Sequence, residues 1–167
     1  MSRKQEKYSV LLDTSFFCRL LSKSDPLHEN AKGYFRYFLD NGIDMMVSTI
    51  SIAEYCVRGE VSELPLRHLK IIPFNFNHST VAGALARILF DAKHQGGYSP
   101  ENRLIIPNDS KLFAQALSDA NIRYFVTSDE KSASVLKIYS SVQNLTFDHM
   151  NIAIPHSAVF GLIDFEE

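Results

Sequence analysis

Four carboxylates, Asp13, Glu54, Asp109 and Asp129, stand at or just after the junctions between the elements this sequence encodes. Asp13 closes the apolar run Val10-Leu11-Leu12, and Asp129 follows the run Ile122–Val126. Both runs read as strands buried on two faces. In an open parallel α/β sheet, ligands bind beyond the carboxyl ends of the strands, where these two acids fall. Asp109 opens a helix, and Glu54 lies one to two turns into a helix that starts near Ser48. If the four converge, their like charges repel strongly at low dielectric. A fold tolerates such a cluster when a divalent cation occupies it. Oxygen ligands suit Mg²⁺ or Mn²⁺. The chemistry such an ion supplies is water activation and charge stabilisation in phosphoryl displacement.

Each acid also has a local explanation. Asp13 suits a helix N-cap. Ser51-x-x-Glu54 and Thr127-x-x-Glu130 match capping boxes, and Asp109 in a first helical turn favours the helix dipole. Taken singly, these explanations are at least as good as function. Taken together, four acids at one edge of a sheet are harder to explain by capping alone.

The elements that must position these residues follow from apolar periodicity and turn chemistry. A strand at Tyr8–Leu12 leads into a short helix marked by Phe16-Phe17 and Leu20-Leu21. Asp25-Pro26 predicts the start of a second helix and Asn41-Gly42 its end. A strand at Asp44–Val47 precedes a helix capped by Ser48 and running to Arg58, closed by Gly59. Residues 60–68 are irregular around Pro65. Leu69–Phe76 is extended, with Pro73 arguing for a sheet edge or a strand that stops there. A helix over Ser79–His94, a loop at Gln95–Pro100, a helix from Asn108, the strand Ile122–Val126 and a helix to Ile138 follow. Val142–Phe147 is predicted as the last strand. The tail, 148–167, carries Ile152, Ile154, Val159, Phe160, Leu162 and Ile163, and is expected to pack on the body or on a partner. Alternating strands and helices imply a mainly parallel sheet with helices on both faces.

The 167 residues suggest one domain, with a core over 8–147 and a C-terminal extension over 148–167. Apolar residues make up 46% and charged residues 22% of the chain, enough to build a core. A net charge of −2 excludes a protein that coats nucleic acid by bulk charge, leaving RNA contact to a local patch or a bound metal. Cys18 and Cys56, without metal-type spacing, are expected as reduced, buried residues. No apolar signal segment or membrane span is legible, so the expected location is the cytoplasm, with no membrane partner.

The chain resembles the PIN domain family through four motifs: Leu12-Asp-Thr-Ser15, Ser51-Ile-Ala-Glu-Tyr55, Asn108-Asp-Ser-Lys-Leu-Phe-Ala-Gln-Ala116 and Val126-Thr-Ser-Asp129. Their order and spacing match, and they span residues 8–135, most of the chain. Ser132 departs from the family, which commonly has an aromatic residue there. The resemblance implies a three-layer α/β/α fold and a metal-dependent ribonuclease acting on single-stranded RNA. It also implies an acidic quartet of Asp13, Glu54, Asp109 and Asp129, with Ser15 or Thr127 adding a hydroxyl to the metal's shell. Many small members are VapC-type toxins paired with an antitoxin; a homodimer is the other partner considered. The second function class is a PIN-like module that holds RNA or protein without cutting.

Other chemistries fit less well. The six histidines form no zinc pattern. No phosphate-binding glycine loop and no Gly-x-Ser-x-Gly are present. A phosphatase of the haloacid-dehalogenase type wants a second Asp two residues after Asp13, where this chain has Ser15. For RNA contact, Lys111, Arg19, Arg58 and Lys131 lie near the acidic edge. Lys111 stands out because a cation in a helix's first turn opposes the dipole. Arg58 could instead pair with Glu54 one helical turn away.

Overall fold

The structure, a computed structural model, describes residues 7–93 and 106–161. Five strands form one sheet: β1 (Ser9–Leu12), β2 (Asp44–Ser48), β3 (Leu69–Ile72), β4 (Ile122–Thr127) and β5 (Asp148–Asn151). Their order is β3-β2-β1-β4-β5 and every neighbouring pair is parallel. The helices of the described residues are α1 (Thr14–Leu21), α2 (His28–Asp40), α3 (Thr49–Tyr55), α4 (Phe76–Lys93), α5 (Asn108–Ser118), α6 (Glu130–Ser140) and α7 (His156–Phe160).

Side chains alternate across a strand, so β1 feeds two cores. Val10 and Leu12 join Val126 and Val47 under α1 and α2, with Phe16, Phe17, Tyr34 and Phe38 completely or almost completely buried. Leu11 faces the other way and packs with Phe125 under α4, α5 and α6. The result is three layers, α/β/α, with β1 at the centre. From β1 the chain winds outward through β2 to β3, then returns to lay β4 on the other side of β1. That reversal makes the carboxyl ends of β1 and β4 a topological switch point, the place where such sheets bind ligands. Asp13 and Asp129 flank it.

Several boundaries differ from expectation, each for a local reason. Asp25 does not cap α2. Its carboxylate accepts the Leu27 N–H at 2.8 Å and the Arg19 guanidinium at 2.5 Å, so Asp25-Pro26 builds a turn and the helix begins at His28. Helix α3 stops at Tyr55 rather than Arg58. Past it, the Val57 and Arg58 N–H groups bond back only three residues. The Tyr55 ring folds over Gly59, where a Cβ would come within 2.5 Å of it. Helix α4 starts at Phe76 because Asn75 Oδ1 accepts the His78 N–H at 3.1 Å and so caps the helix. Strand β3 ends before Pro73 at the sheet's edge, as Pro73 required.

The last strand is Asp148–Asn151, not Val142–Phe147. The Val142 and Gln143 N–H groups both bond Tyr139 O at 3.0 Å, which consumes them in the C-terminal turn of α6. Phe147 then plugs into the core beside Phe113. The polar run that follows forms β5, on which only Met150 is buried. Residues 148–161 are thus part of the body. The Asn30 amide donates to Ile152 O at 2.8 Å and Tyr34 Oη to Ile154 O at 2.8 Å. Phe160 stacks on Tyr37 at 4.1 Å. Leu162 and Ile163, His94 and the loop at Gln95–Pro100 lie outside the described residues. Both cysteines are free but exposed, contrary to expectation: Cys18 lies on the outer side of α1 and Cys56 just past α3.

Candidate active site

Strand β1 hands its carboxyl end to β4 through the backbone, the Asp13 N–H donating to Val126 O at 3.0 Å. The Asp13 side chain, 7% exposed, then turns back as the N-cap of α1 and accepts the Thr14 N–H at 2.7 Å. Its Oδ2 accepts the Ser15 hydroxyl and the Thr127 hydroxyl, each at 2.8 Å. Each hydroxyl has one proton, and both are spent on Asp13. The 3.0 Å approach of Ser15 Oγ to Thr127 Oγ1 is therefore a contact between two acceptors. Those acceptors are used in turn: Ser15 Oγ takes the Ser128 N–H and Thr127 Oγ1 takes the Asp129 N–H, both at 2.9 Å. This polar knot ties the ends of β1 and β4 together. Burial pushes the Asp13 carboxyl up; the bonds from Ser15, Thr127 and Thr14 oppose that, and the Glu54 charge adds to it.

Neither capping box forms. Ser48 caps α3, accepting the Ile50 N–H at 3.0 Å. Ser51 lies inside that helix, buried, with no partner for its hydroxyl among the described residues. Glu54 is thereby free to reach out of α3, and its two oxygens are taken from two other helices. Thr14 Oγ1 of α1 donates to Oε2, and Asn108 Nδ2 of α5 donates to Oε1. Asn108 Oδ1 accepts the Lys111 ammonium at 2.9 Å. Thr127 ends β4, so the cap of α6 is Asp129, whose Oδ1 accepts the Lys131 N–H at 2.8 Å. Ser132 Oγ donates to Asp129 O at 2.7 Å and lies 3.0 Å from His149 Nε2 on β5.

Asp109, in the first turn of α5, has no hydrogen-bond or ion-pair partner for its carboxylate among the described residues. Burial, together with the charges of Asp13, Asp129 and Glu54, pushes its carboxyl up to about 6. The four acids thus feel one another. They do not yet form a cage: among the described residues, no three His, Cys, Asp or Glu side chains are arranged to hold a metal ion. The donor set itself, four carboxylates with two hydroxyls, fits a hard divalent cation. A cation would also relieve the repulsion that adds to burial in raising Asp109.

The basic residues divide. Lys111 meets the cluster at its rim, through Asn108 Oδ1. Arg19 turns to Ser128 Oγ at 3.3 Å and to Asp25. Arg58 and Lys131 are exposed and make no ion pair among the described residues. Arg58 is not a helical partner of Glu54, because α3 has ended before it. Sequence reasoning singled out neither Thr14 nor Asn108, although both fall within the motifs. Asn108 could have been found by its place three residues before Lys111, which makes the two neighbours on a helix. Nothing in the sequence pointed to the contact between Ser132 and His149.

No protein-family model and no curated protein sequence matches the chain. Solved structures do. A chain of VapBC2 from Rickettsia felis, solved bound to a promoter DNA fragment, superposes with TM-score 0.57 at 20% identity, over 84% of this chain and 97% of that one. FitAcB from Neisseria gonorrhoeae gives TM-score 0.57 at 15% identity, over 86% and 98%. VapC20 from Mycobacterium tuberculosis, described as a sarcin-ricin loop cleaving toxin, gives 0.52 at 18% identity, over 75% and 94%. The parallel five-stranded sheet between two helical layers, with its switch point at β1 and β4, is the PIN-domain fold of the VapC toxins.

Proposed function

We propose that this protein is a divalent-metal-dependent endoribonuclease that hydrolyses phosphodiester bonds in single-stranded RNA, and that it serves in the cytoplasm as the toxin of a toxin–antitoxin pair. The observation that carries the reading is Asp109. A carboxylate with no hydrogen-bond or ion-pair partner among the described residues, pushed up to about 6 by burial and then by three other acids at the switch point, is a site suited to positive charge. The fold shared with VapC toxins, one of them described as cleaving the sarcin-ricin loop, supports an RNA substrate and an antitoxin partner.

Asp13, Glu54, Asp109 and Asp129 would hold Mg²⁺ or Mn²⁺. Such an ion supplies Lewis-acid activation of water and charge stabilisation on the phosphoryl group. The rest falls to the chain's own groups. Ser15 and Thr127 fix the orientation of Asp13 by donating to its Oδ2. The Lys111 ammonium, held at the rim by Asn108, binds a phosphate of the RNA strand. Arg19, Arg58 and Lys131 are outer contacts for the same backbone.

A second reading, a PIN-like module that binds RNA or protein without cutting, draws on the acids not being set as a cage. Cleavage of single-stranded RNA separates the two. The nuclease cuts with Mg²⁺ or Mn²⁺ and stops in chelator, and Asp13→Asn loses at least about 100-fold, because a metal ligand supplies several kcal/mol of transition-state stabilisation. A wild-type protein that binds RNA and never cuts it with either metal supports the module.

A further inference from the structure

The two oxygens of Glu54 are held from opposite sides by uncharged donors, the Thr14 hydroxyl from α1 and the Asn108 amide from α5. The arrangement at Asn108 has only one workable chemistry. Its side chain lies between a carboxylate and an ammonium, Nδ2 toward Glu54 and Oδ1 toward Lys111 at 2.9 Å. An amide carries a donor and an acceptor at its two ends, so both charges align it the same way. A carboxylate there would suit Lys111 but repel Glu54. A cation would suit Glu54 but neutralise it and compete with any metal for its oxygens.

Resting on the nuclease reading above, we infer that Asn108 and Thr14 are the positioning residues of Glu54. They fix its carboxylate toward the switch point while leaving its negative charge intact. Asn108 also keeps Lys111 one group away, so that the ammonium stays at the rim instead of collapsing onto the acid as an ion pair. No salt bridge from Lys111 to Glu54 forms among the described residues, in agreement with this division. The lysine has donors left over for a phosphate, and Glu54 has no counter-ion from Lys111 to compete with a cation. Three helices meet at this carboxylate, so its place depends on α1 and α5 as much as on its own α3.

The test is Mn²⁺ binding to the RNA-free, full-length protein, read by calorimetry. Outer-sphere partners of metal ligands are typically worth 10–100-fold in affinity, so Asn108→Ala and Thr14→Val should each weaken Mn²⁺ binding by about 10-fold or more. Thr14→Ser keeps the hydroxyl and should keep wild-type affinity. In a Glu54→Gln background, Asn108→Ala and Thr14→Val should cause no further loss, because the carboxylate they act through is gone. A general structural defect would persist in that background. Wild-type affinity in both single variants, or an undiminished loss in the Glu54→Gln background, overturns the inference and leaves the nuclease reading standing. If either variant fails to fold, the other carries the same comparison. Absence of Mn²⁺ binding by the wild type overturns the nuclease reading and this inference with it.

Discussion

Replacing Asp109 by Asn isolates the electrostatic cost of the acidic cluster without any substrate. The carboxyl is raised from 3.8 to about 6 in the folded protein, chiefly by burial and then by Asp13, Asp129 and Glu54. At full strength that rise is worth about 3 kcal/mol. The group is partly exposed, so solvent screening reduces it to about 1–2 kcal/mol. A raised carboxyl makes the folded state bind more protons than the unfolded chain between pH 3.8 and about 6. Its contribution to stability is therefore present below pH 3.8 and is lost as pH rises through 6. Asn has no such loss, but gives up a first-turn dipole interaction of about 0.3–1 kcal/mol. The net expectation without metal at pH 7.5 is a gain of about 1 kcal/mol, or about 2–4 °C in Tm for a chain of this length. Thermal unfolding in chelator at pH 4.5 and pH 7.5 checks it, and the gain should shrink toward the lower pH. Added Mg²⁺ should raise the wild-type Tm by mass action and the variant's much less. A variant that melts below wild type at pH 7.5 in chelator, or a difference that ignores pH, refutes the reasoning.

Asp13→Asn should gain less than Asp109→Asn in the same assay, because Asp13 Oδ2 accepts two hydroxyl protons that an amide nitrogen would not. An equal or larger gain would contradict the polar knot at the ends of β1 and β4. Phe160→Ala removes the ring stacked on Tyr37 and should cost about 1–3 kcal/mol in denaturant unfolding, short of a fully buried aromatic because Phe160 keeps some exposure. No change would mean that α7 is not docked. Both cysteines should react with an aromatic disulfide reagent in the native protein. Cys18 should be the slower, since partial burial and the nearby Asp13 raise its thiol and lower its thiolate fraction. A thiol that reacts only after unfolding would contradict its exposure.

Four of the five strands, and the places of the four acids at element junctions, were legible because each rests on a short-range signal. An apolar run that stops at a carboxylate marks a strand's end, and Ser48 and Asn108 mark helix starts. The acids' neighbours were not legible. Glu54 read as half of a capping box from Ser51, but the cap belongs to Ser48, three residues earlier, and only tertiary packing brings Thr14 and Asn108 to it. Strand β5 was missed because an edge strand with one buried residue carries almost no apolar alternation, whereas Val142–Phe147 carries enough to mislead. The cysteines break the general habit of free thiols, since Cys18 falls on the solvent side of α1 and Cys56 in the exposed turn past α3. Asp25-Pro26 has the residues of a helix start, but Arg19 and the Leu27 N–H claim the carboxylate for a turn.

The proposed function requires the acids at the switch point to cut RNA with a divalent metal. The most direct test incubates wild type and Asp13→Asn with a labelled single-stranded RNA, with Mn²⁺, with Mg²⁺ and with chelator. A nuclease of this kind gives internal cleavage by the wild type in either metal, none in chelator, and a loss of at least about 100-fold in the variant. Cleavage that survives chelator, or an Asp13→Asn variant as active as the wild type, would contradict it.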